Sequence, residues 1–242
     1  MSTSYSPKIV TDGLVLALDA ANVKSYPRSG TAWTDLSGNN NTGTLTNGPT
    51  FSGENGGSIV FDGTNDSVEN SATTASFPLN NFTYEVWCRP TTTHEIDTES
   101  TTGFGGTSGQ RYLIFANYDD ISPYTTPGAG ISVGTNGVSV YEHTSGYMPA
   151  LLVSSTTISS TVATHIIVTY TSKQPRLYLN AALIRTGLTS TKTNVRGDFR
   201  SIGGGAYGFF QGAIYSAKVY NRTLSANEVL QNFNATRNRF GV

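Results

Sequence analysis

The stretch "FTYEVWCRP" at residues 82–90 carries the clearest strand pattern in the chain. Successive side chains of a β-strand point to opposite faces of its sheet. The two faces of this stretch are then Phe82, Tyr84, Val86 and Cys88 on one side, and Thr83, Glu85, Trp87 and Arg89 on the other. Because the first set is apolar and aromatic, the pattern predicts a strand that packs one face into a core.

Further strand patterns lie on both sides of this stretch, separated by Gly, Asn and Pro. They are "GLVLALDA" (13–20), "SIVFDG" (58–63), "RYLIFANY" (111–118), the hairpin "GISVGTNGVSVYE" (130–142), the three-stranded "THIIVTYTSKQPRLYLNAALIRTG" (164–187) and "QGAIYSAKVYN" (211–221). Turns are expected at Asn136-Gly137, near Lys173–Pro175 and at Asn180–Ala181. The pattern predicts an all-β protein built from antiparallel strands.

One helix is predicted, near the C-terminus, in "TLSANEVLQNF" (223–233). Ser225 can cap its first turn and Glu228 can reach back to the cap, which together form a capping box. Leu224 and Val229 flank the cap as a hydrophobic staple. The apolar stripe expected to lie on a sheet consists of Val229, Leu230 and Phe233.

The composition narrows the class of protein. Of 242 residues only 13% are charged, and the net charge is −1, so there is no basic surface for nucleic acid. No apolar run approaches the length of a membrane span, and no secretory signal is visible at the N-terminus. The single cysteine, Cys88, lies in the strand pattern above and is expected to be a buried structural thiol.

Several segments, in the same order along the chain, resemble a known family. "GLVLALDAAN" through "FTYEVWCRP", then "HIIVTYTSKQPRLYLNAALIRTG", then "SIGGGAYGFFQGAIYSAKVYNRTLSANEVLQNF" are similar to the laminin-G-like jelly rolls of the concanavalin A-like superfamily. The resemblance implies an antiparallel β-sandwich with one short C-terminal helix. It implies a single domain over residues 1–242, with its core at about 12–235.

The C-terminal sequence "YNRTLSANEVLQNFNATRNRFGV" (220–242) resembles domains of structural proteins in tailed bacteriophages. This resemblance implies a virion protein that is assembled in the host cytoplasm, as capsid decoration or on a tail appendage. Its expected partners are other virion proteins, a glycan of the host surface, or further copies of the chain in the particle. Neither nucleic acid nor a membrane is an expected partner.

The family commonly holds a structural calcium ion near the turn after the "FDG" strand. In this chain Asp62, Asn65 and Asp66 of "FDGTND" offer the oxygen ligands that calcium prefers. The alternative is an Asx-rich turn whose side chains hydrogen-bond to their own backbone. The family's closing strand often carries an acidic residue where this chain has Tyr215 and Ser216, which favours the turn.

The stretch "HEIDTES" (94–100) places Glu95, Asp97 and Glu99 two residues apart. On a strand all three carboxylates would share one face, and the motif resembles the active-site strand of family-16 glycoside hydrolases. A catalytic strand would also show alternating apolar partners, whereas Thr and Gly surround this stretch. The context favours a solvated loop between two strands, with a metal-binding or partner-contact loop as the alternative, so no catalytic residue is expected.

Two functions remain from the sequence. The first is a non-catalytic adhesion module that binds a glycan or a neighbouring virion protein. Exposed tyrosines could stack on sugar rings, and the candidates are Tyr118, Tyr124, Tyr147 and Tyr207. The second is a glycan-cleaving enzyme that uses Glu95, Asp97 and Glu99.

His94, His143 and His165 are too far apart for a zinc pattern, and His165 is expected to be a structural histidine.

Overall fold

The structure is a computed structural model that describes residues 7–72, 77–118 and 124–242. Its regular elements are almost entirely β-strands. In chain order they are β1 (Leu14–Asp19), β2 (Ala32–Trp33), β3 (Gly43–Thr46), β4 (Thr50–Ser52), β5 (Ser58–Asp62), β6 (Ser67–Asn70), β7 (Phe82–Pro90), β8 (Tyr112–Ile114), β9 (Gly128–Gly134), β10 (Gly137–His143), β11 (Ala150–Ser154), β12 (Thr164–Thr171), β13 (Gln174–Leu179), β14 (Ala182–Thr186), β15 (Ser201–Ile202), β16 (Gly204–Gly205), β17 (Gly208–Phe209) and β18 (Gln211–Tyr220). The helix α1 spans Ala226–Thr236, and short 3₁₀ turns lie at Glu54–Gly56 and Arg237–Arg239.

The strands form two large antiparallel sheets. Sheet I has the order β14-β13-β12-β7-β18-β5-β4, with β1 also paired to β18. Sheet II has the order β11-β10-β9-β8-β15-β6-β3-β2, and β16 pairs with β17 in a small separate hairpin. The predicted all-β architecture with one short C-terminal helix is confirmed in the described residues. The single-domain organisation stays a prediction.

Strand β7 lies at the centre of sheet I, between β12 and β18. Its side chains Tyr84, Val86 and Cys88 are fully buried in the main core, which the inward-facing residues of sheet II complete. Burial raises the pKa of the Cys88 thiol, so the expectation of a buried, inert thiol is confirmed. The alternation read from 82–90 therefore identifies the inward face of the sheet correctly.

The outward face of β7 is buried as well, because α1 and the following turn lie on it. Trp87 stacks on Phe240 at 4.0 Å between ring centroids and on Phe233 at 5.9 Å. Beside it Glu85 is fully buried and accepts hydrogen bonds from Lys218 Nζ (2.7 Å) and Asn232 Nδ2 (2.6 Å). The sequence pattern predicted burial of one face of β7, whereas in the structure both faces of this strand are buried.

The buried Glu85 carboxylate is compensated by opposite charge. Desolvation alone would raise its pKa, but the charge of Lys218, together with the polar contact to His165, outweighs that effect and holds the pKa well below its usual range. His165 Nε2 lies 3.2 Å from Glu85 Oε1, and its imidazole stacks on Trp87 at 4.8 Å. Since burial lowers the pKa of His165, it serves as a neutral packing residue, as its expected structural role requires.

Helix α1 begins at the predicted cap. The Ser225 backbone N–H donates to Glu228 Oε2 (2.8 Å), and the Glu228 N–H donates to Ser225 Oγ (3.3 Å), so the capping box is confirmed. Leu224 and Val229 share one buried cluster, as the hydrophobic staple requires. The predicted stripe is wrong at Leu230, which is 48% exposed. The helix instead turns the polar Asn232 inward, where it bonds to Glu85.

The turns of sheet I place their two central residues at positive φ. Ser172 and Lys173 join β12 to β13 with φ of 48° and 69°, and Asn180 and Ala181 join β13 to β14 with φ of 48° and 67°. Between β9 and β10 the positive φ falls on Gly137 alone, at 155°. A Cβ there would lie 2.1 Å from the Ser154 carbonyl oxygen, so only glycine lets β11 approach.

Candidate functional site

The outer face of sheet II is covered by residues 94–110, here called the cover segment. Tyr112 Oη donates to the Gly106 carbonyl (2.6 Å), and the Gly105 and Gly106 N–H groups donate to the Met148 carbonyl (both 3.0 Å). A Cβ on Gly106 would lie 2.5 Å from Tyr141 Cδ1, so glycine is required where the segment crosses the ring. The cover segment is therefore fastened to the sheet by backbone bonds over aromatic residues.

The three carboxylates of the cover segment lie outside any β-strand, and each has its own surroundings. Glu99 accepts two hydrogen bonds from Arg185 (2.7 and 2.6 Å) and one from the Val153 N–H (2.9 Å). Asp97 accepts from Tyr141 Oη at 2.5 Å. The Glu95 side chain is exposed. The predicted loop is confirmed, and the rigid catalytic strand that the enzyme hypothesis needs is not formed.

The ion pair has a chemical consequence for Glu99. The Arg185 guanidinium lowers the pKa of Glu99, so this carboxylate stays ionised at neutral pH and is a poor proton donor. Glu99 acts instead as a tether between the cover segment and the edge strand β14, which carries Arg185. The structure thus gives this acidic stretch a fastening role.

The cover segment begins at His94, which is buried. Its Nδ1 is 3.1 Å from Ser132 Oγ and 3.3 Å from Gln110 Oε1. Burial lowers the pKa of His94. This histidine helps to seat the segment on β9.

Four rings meet around His143 and form what we call the aromatic cluster: Phe104, Tyr118, His143 and Tyr207. Ring centroids are 4.4 Å apart for Tyr118 and His143, 5.4 Å for His143 and Tyr207, and 5.9 Å for Phe104 and Tyr207. Phe104 is 45% exposed, and both tyrosines are half-buried. The cluster therefore presents aromatic surface to solvent while resting on the sheet.

Separate parts of the fold deliver these rings. His143 ends β10, Phe104 lies in the cover segment, and Tyr207 lies in the turn between β16 and β17. A Cβ on Gly205 would lie 2.1 Å from Phe115 Cγ, so glycine lets this hairpin settle onto the ring of Phe115 beneath the cluster. The glycine-rich stretch 203–208 thus forms most of a tight hairpin, and its turn positions Tyr207.

His143 is the polar centre of the aromatic cluster. Its Nδ1 lies 2.7 Å from the Ala116 carbonyl oxygen, which can only accept, so this hydrogen bond assigns the proton to Nδ1. Burial lowers the pKa of His143, which keeps the imidazole neutral at pH 7. In this tautomer Nε2 carries a lone pair and is a hydrogen-bond acceptor.

The four candidate tyrosines lie in different surroundings in the structure. Tyr118 and Tyr207 belong to the aromatic cluster. Tyr147 is buried, and its hydroxyl lies 3.3 Å from Glu142 inside the sandwich. Tyr124 is half-buried with φ of 57° and makes no ring contact with the cluster within the described ranges. Sequence reasoning missed Phe104 and the central place of His143, although His143 alternates with Ser139 and Tyr141 on the outward face of β10.

A buried acid, Glu142, was also missed. It lies on the inward face of β10 in phase with Val138 and Val140, and period-two counting identifies it. Its carboxyl accepts hydrogen bonds from Ser190, Tyr147 and Tyr170. Burial raises the pKa of Glu142 to about 7.

The turn after β5 uses its oxygens internally. Asp62 Oδ1 accepts from the Thr64 N–H (2.7 Å), and Asp66 Oδ2 accepts from the Asp62 N–H (3.0 Å). The Asn65 carbonyl accepts from Asn47. Burial raises the pKa of Asp66, and among the described residues no group of three or more His, Cys, Asp or Glu has metal-binding geometry. The contacts are those of an Asx turn, and calcium at Asp62, Asn65 and Asp66 stays a prediction.

Comparison with known proteins agrees with the architecture. The family model described as the concanavalin A-like lectin/glucanases superfamily (Laminin_G_3) matches residues 62–230. The two antiparallel sheets and the closing helix define a jelly-roll sandwich. The chain belongs to the concanavalin A-like lectin/glucanases superfamily. No curated protein matches the chain in sequence.

Solved structures share the fold at low identity. One is domain 4 of AbnA, a GH43 extracellular arabinanase from Geobacillus stearothermophilus, solved with arabinotriose. It has a TM-score of 0.60 at 15% identity, and the match covers 90% of this chain and 97% of that domain. The binding domain of Paraclostridial Mosquitocidal Protein 1 has a TM-score of 0.64 at 20% identity, with 93% of this chain and 52% of that one covered. The ligand binding domain of botulinum neurotoxin serotype D, solved with N-acetylneuraminic acid, has a TM-score of 0.63 at 12% identity, with coverage of 93% and 51%. The chain spans about half the length of the two toxin domains.

In the described part of the chain, no helix is long and apolar enough to cross a membrane.

Proposed function

We propose that the chain is a non-catalytic glycan-binding module whose binding surface is the aromatic cluster. The observation that carries this proposal is the group of partly exposed rings around His143 on the outer face of sheet II. Aromatic faces attract the C–H faces of sugar rings, and polar groups at their margin fix orientation. Phe104 and Tyr207 supply the faces, and the buried ring of His143 packs against both of them.

The similar structures support this proposal at the level of fold. Domain 4 of AbnA is of this size, and it was solved with a bound oligosaccharide. The toxin domains are twice as long, so a ligand named for them belongs to a larger unit than the part this chain matches. The proposal for this chain therefore rests on its own aromatic cluster.

We further propose that the module acts in adhesion as part of a tailed-phage virion, as capsid decoration or on a tail appendage. The resemblance of residues 220–242 to such virion domains supports this. The partners would then be a host-surface glycan, other virion proteins or further copies of the chain. Mass spectrometry of purified particles tests the placement, since a virion protein is recovered at a fixed ratio to the capsid protein.

Glycan binding is tested on an array with the purified chain, followed by calorimetry with the oligosaccharides that bind. We expect Tyr207→Ala and Phe104→Ala to weaken binding at least about tenfold, the effect of losing an aromatic anchor. The matched control is Leu230→Ala on α1, an equally exposed apolar residue over the opposite sheet. Wild-type affinity in both cluster variants would refute the proposed site.

The enzyme alternative is tested in the same preparation. We expect no hydrolysis of β-glucans, because Glu99 is held by Arg185 and the three carboxylates are not aligned on a strand. Turnover that disappears in Glu95→Gln would overturn the non-catalytic proposal.

A further inference from the structure

Three buried side chains of complementary chemistry meet between sheet I and helix α1: Glu85, Lys218 and Asn232. Their exposed fractions are 0%, 6% and 0%. Lys218 is the register partner of Glu85 on the neighbouring strand β18, and its Nζ lies 2.7 Å from Glu85 Oε1. Asn232 on α1 donates from Nδ2 to the second oxygen of the same carboxylate, Oε2, at 2.6 Å. One carboxylate thus holds an amine and a carboxamide side by side in a buried site.

The amide of Asn232 is oriented and polarised by its neighbours. Its Oδ1 accepts a hydrogen bond from the Val10 N–H at 2.7 Å, and since a backbone N–H can only donate, this bond assigns the amide oxygen. The same N–H would stabilise the negative charge that develops on Oδ1 when a nucleophile adds to the amide carbon. The amide nitrogen, Nδ2, lies 2.9 Å from Tyr220 Oη as well as against Glu85. Both polar atoms of the amide therefore have the partners that a substitution at Cγ requires.

The surroundings of the carboxylate make proton transfer to it chemically reasonable. Ile167 lies directly opposite Glu85 on β12, and both residues are fully buried. The ion pair is the resting form, because the charge of Lys218 and the contact with His165 hold the pKa of Glu85 well below its usual range. Transfer of one proton from Lys218 Nζ to Glu85 removes two charges from this apolar setting at once. The neutral amine that results is the nucleophilic form of lysine, and the 2.7 Å contact supplies it without a cofactor.

We propose that Lys218 and Asn232 form an intramolecular isopeptide bond, with Glu85 as the group that transfers the protons. The neutral Nζ attacks Cγ of Asn232, so that a Nζ–Cγ bond forms and negative charge moves to Oδ1. Glu85 gives its proton to Nδ2 and takes the second proton from Nζ, after which the carbonyl re-forms, the Cγ–Nδ2 bond breaks and ammonia leaves. Glu85 then gives that second proton to the ammonia. One ammonium side chain and one carboxamide thus become one secondary amide and one ammonium ion, with no change of oxidation state.

The bond would tie the closing helix to a central strand of sheet I, because Lys218 lies on β18 and Asn232 on α1. Helix and strand could then separate only if an amide bond were broken. A cross-link of this kind also restricts the unfolded chain. The proposal gives the buried ion pair a chemical role, since the desolvation of two charges can exceed the gain from their attraction.

Intact-mass spectrometry of the purified, folded chain tests the bond directly. We expect the wild-type mass to be lower than the sequence mass by one ammonia after prolonged incubation at neutral pH. Trypsin should then fail to cleave after Lys218, and segments 201–222 and 223–237 should remain joined as one branched peptide in tandem mass spectrometry. A folded wild-type chain with its full sequence mass and normal cleavage after Lys218 would overturn the proposal. A loss of ammonia that maps to an Asn-Gly dipeptide instead would also count against it.

Variants test the roles of the reacting groups. Glu85→Gln keeps a side chain of the same shape but cannot take up a proton, and we expect it to retain the full mass and to be cleaved after Lys218. Lys218→Met removes the nucleophile and should also retain the full mass. The matched control is Lys173→Met, which removes a lysine whose Nζ donates to the Lys192 carbonyl, and it should lose one ammonia as wild type does.

Circular dichroism checks that each variant is folded. A loss of ammonia that persists in folded Glu85→Gln and still joins segments 201–222 and 223–237 contradicts the role of Glu85. If Glu85→Gln and Lys218→Met do not fold, the mass and peptide map of the wild-type chain still decide whether the bond exists.

Discussion

Glu142 allows a stability prediction that can be worked out quantitatively. This carboxyl is fully buried inside the sandwich and accepts hydrogen bonds from Ser190, Tyr147 and Tyr170. The charge of Lys173 lowers the pKa of Glu142, but burial outweighs this effect. Burial raises the pKa from 4.5 to about 7 in the folded chain. The protonated acid is thus the form that the fold prefers.

The sign and size of the effect follow from this difference. Because the folded-state pKa lies above the unfolded one, the stability due to protonated Glu142 is fully present below about pH 4.5 and is lost as the pH rises through about 7. A difference of about 2.5 pH units corresponds to about 3 kcal/mol of unfolding free energy. The side chain is buried, so solvent screening does not reduce this figure.

Urea unfolding followed by tryptophan fluorescence measures the effect, since Trp33 and Trp87 are both buried. In Glu142→Gln the group cannot ionise, and we expect the fall in stability between about pH 4.5 and 7 to shrink by about 3 kcal/mol relative to wild type. At about pH 8 the variant should be at least as stable as wild type. Comparison of the two chains cancels the other groups that titrate.

The matched control is Glu99→Gln. Arg185 lowers the pKa of Glu99, so this pair contributes stability above the unfolded pKa and loses it as the pH falls. Its substitution should therefore weaken the chain at neutral pH, by less than about 1 kcal/mol because Arg185 is largely exposed. Parallel pH profiles for wild type and Glu142→Gln would show that the carboxyl is not held as the structure indicates.

Three further predictions concern the cover segment, the helix and the turn after β5. Gly106→Ala should cost about 1–3 kcal/mol by overpacking on Tyr141, and hydrogen exchange should show faster opening of residues 97–106, whereas unchanged exchange would contradict the fastening role. Ser225→Ala should cost about 1 kcal/mol in urea unfolding through loss of the cap, with Ser225→Asp as the variant that keeps an acceptor and retains the stability. If the turn holds calcium, then added calcium should raise the melting temperature of wild type and not of Asp66→Asn. A melting temperature insensitive to both calcium and chelator would rule that proposal out.

Local signals in the sequence predicted much of the fold. The bounds of β7 match the stretch at 82–90, and the capping box fixes the start of α1. Both depend on side-chain alternation or on bonds between residues three positions apart. The predicted strand at 111–118 is shorter in the structure, because β8 ends at Ile114 and the backbone then bonds to Ser201.

Other features depend on which element docks where, and local patterns do not carry that information. Trp87 was assigned to an outward face, and it is buried because residues about 150 positions later stack on it. Leu230 was assigned to the buried stripe of α1, but Glu85 draws Asn232 inward in its place. The aromatic cluster likewise joins four segments that are distant in sequence. Two of its members were expected as exposed tyrosines, but their meeting at His143 was not.

The two outer faces of the sandwich differ in a way that bears on function. On sheet I the helix α1 and the turn after it are held by a buried charged network at Glu85 and by stacked rings at Trp87. The part of the face around these residues is therefore buried by the chain itself. On sheet II the cover segment is fastened through backbone bonds and the Glu99–Arg185 pair, and its Phe104 joins rings that remain partly exposed. Burying Trp87 stabilises the chain, whereas leaving Phe104 45% exposed forgoes such stabilisation. The partly exposed rings on sheet II are therefore the surface that the proposed glycan binding would use.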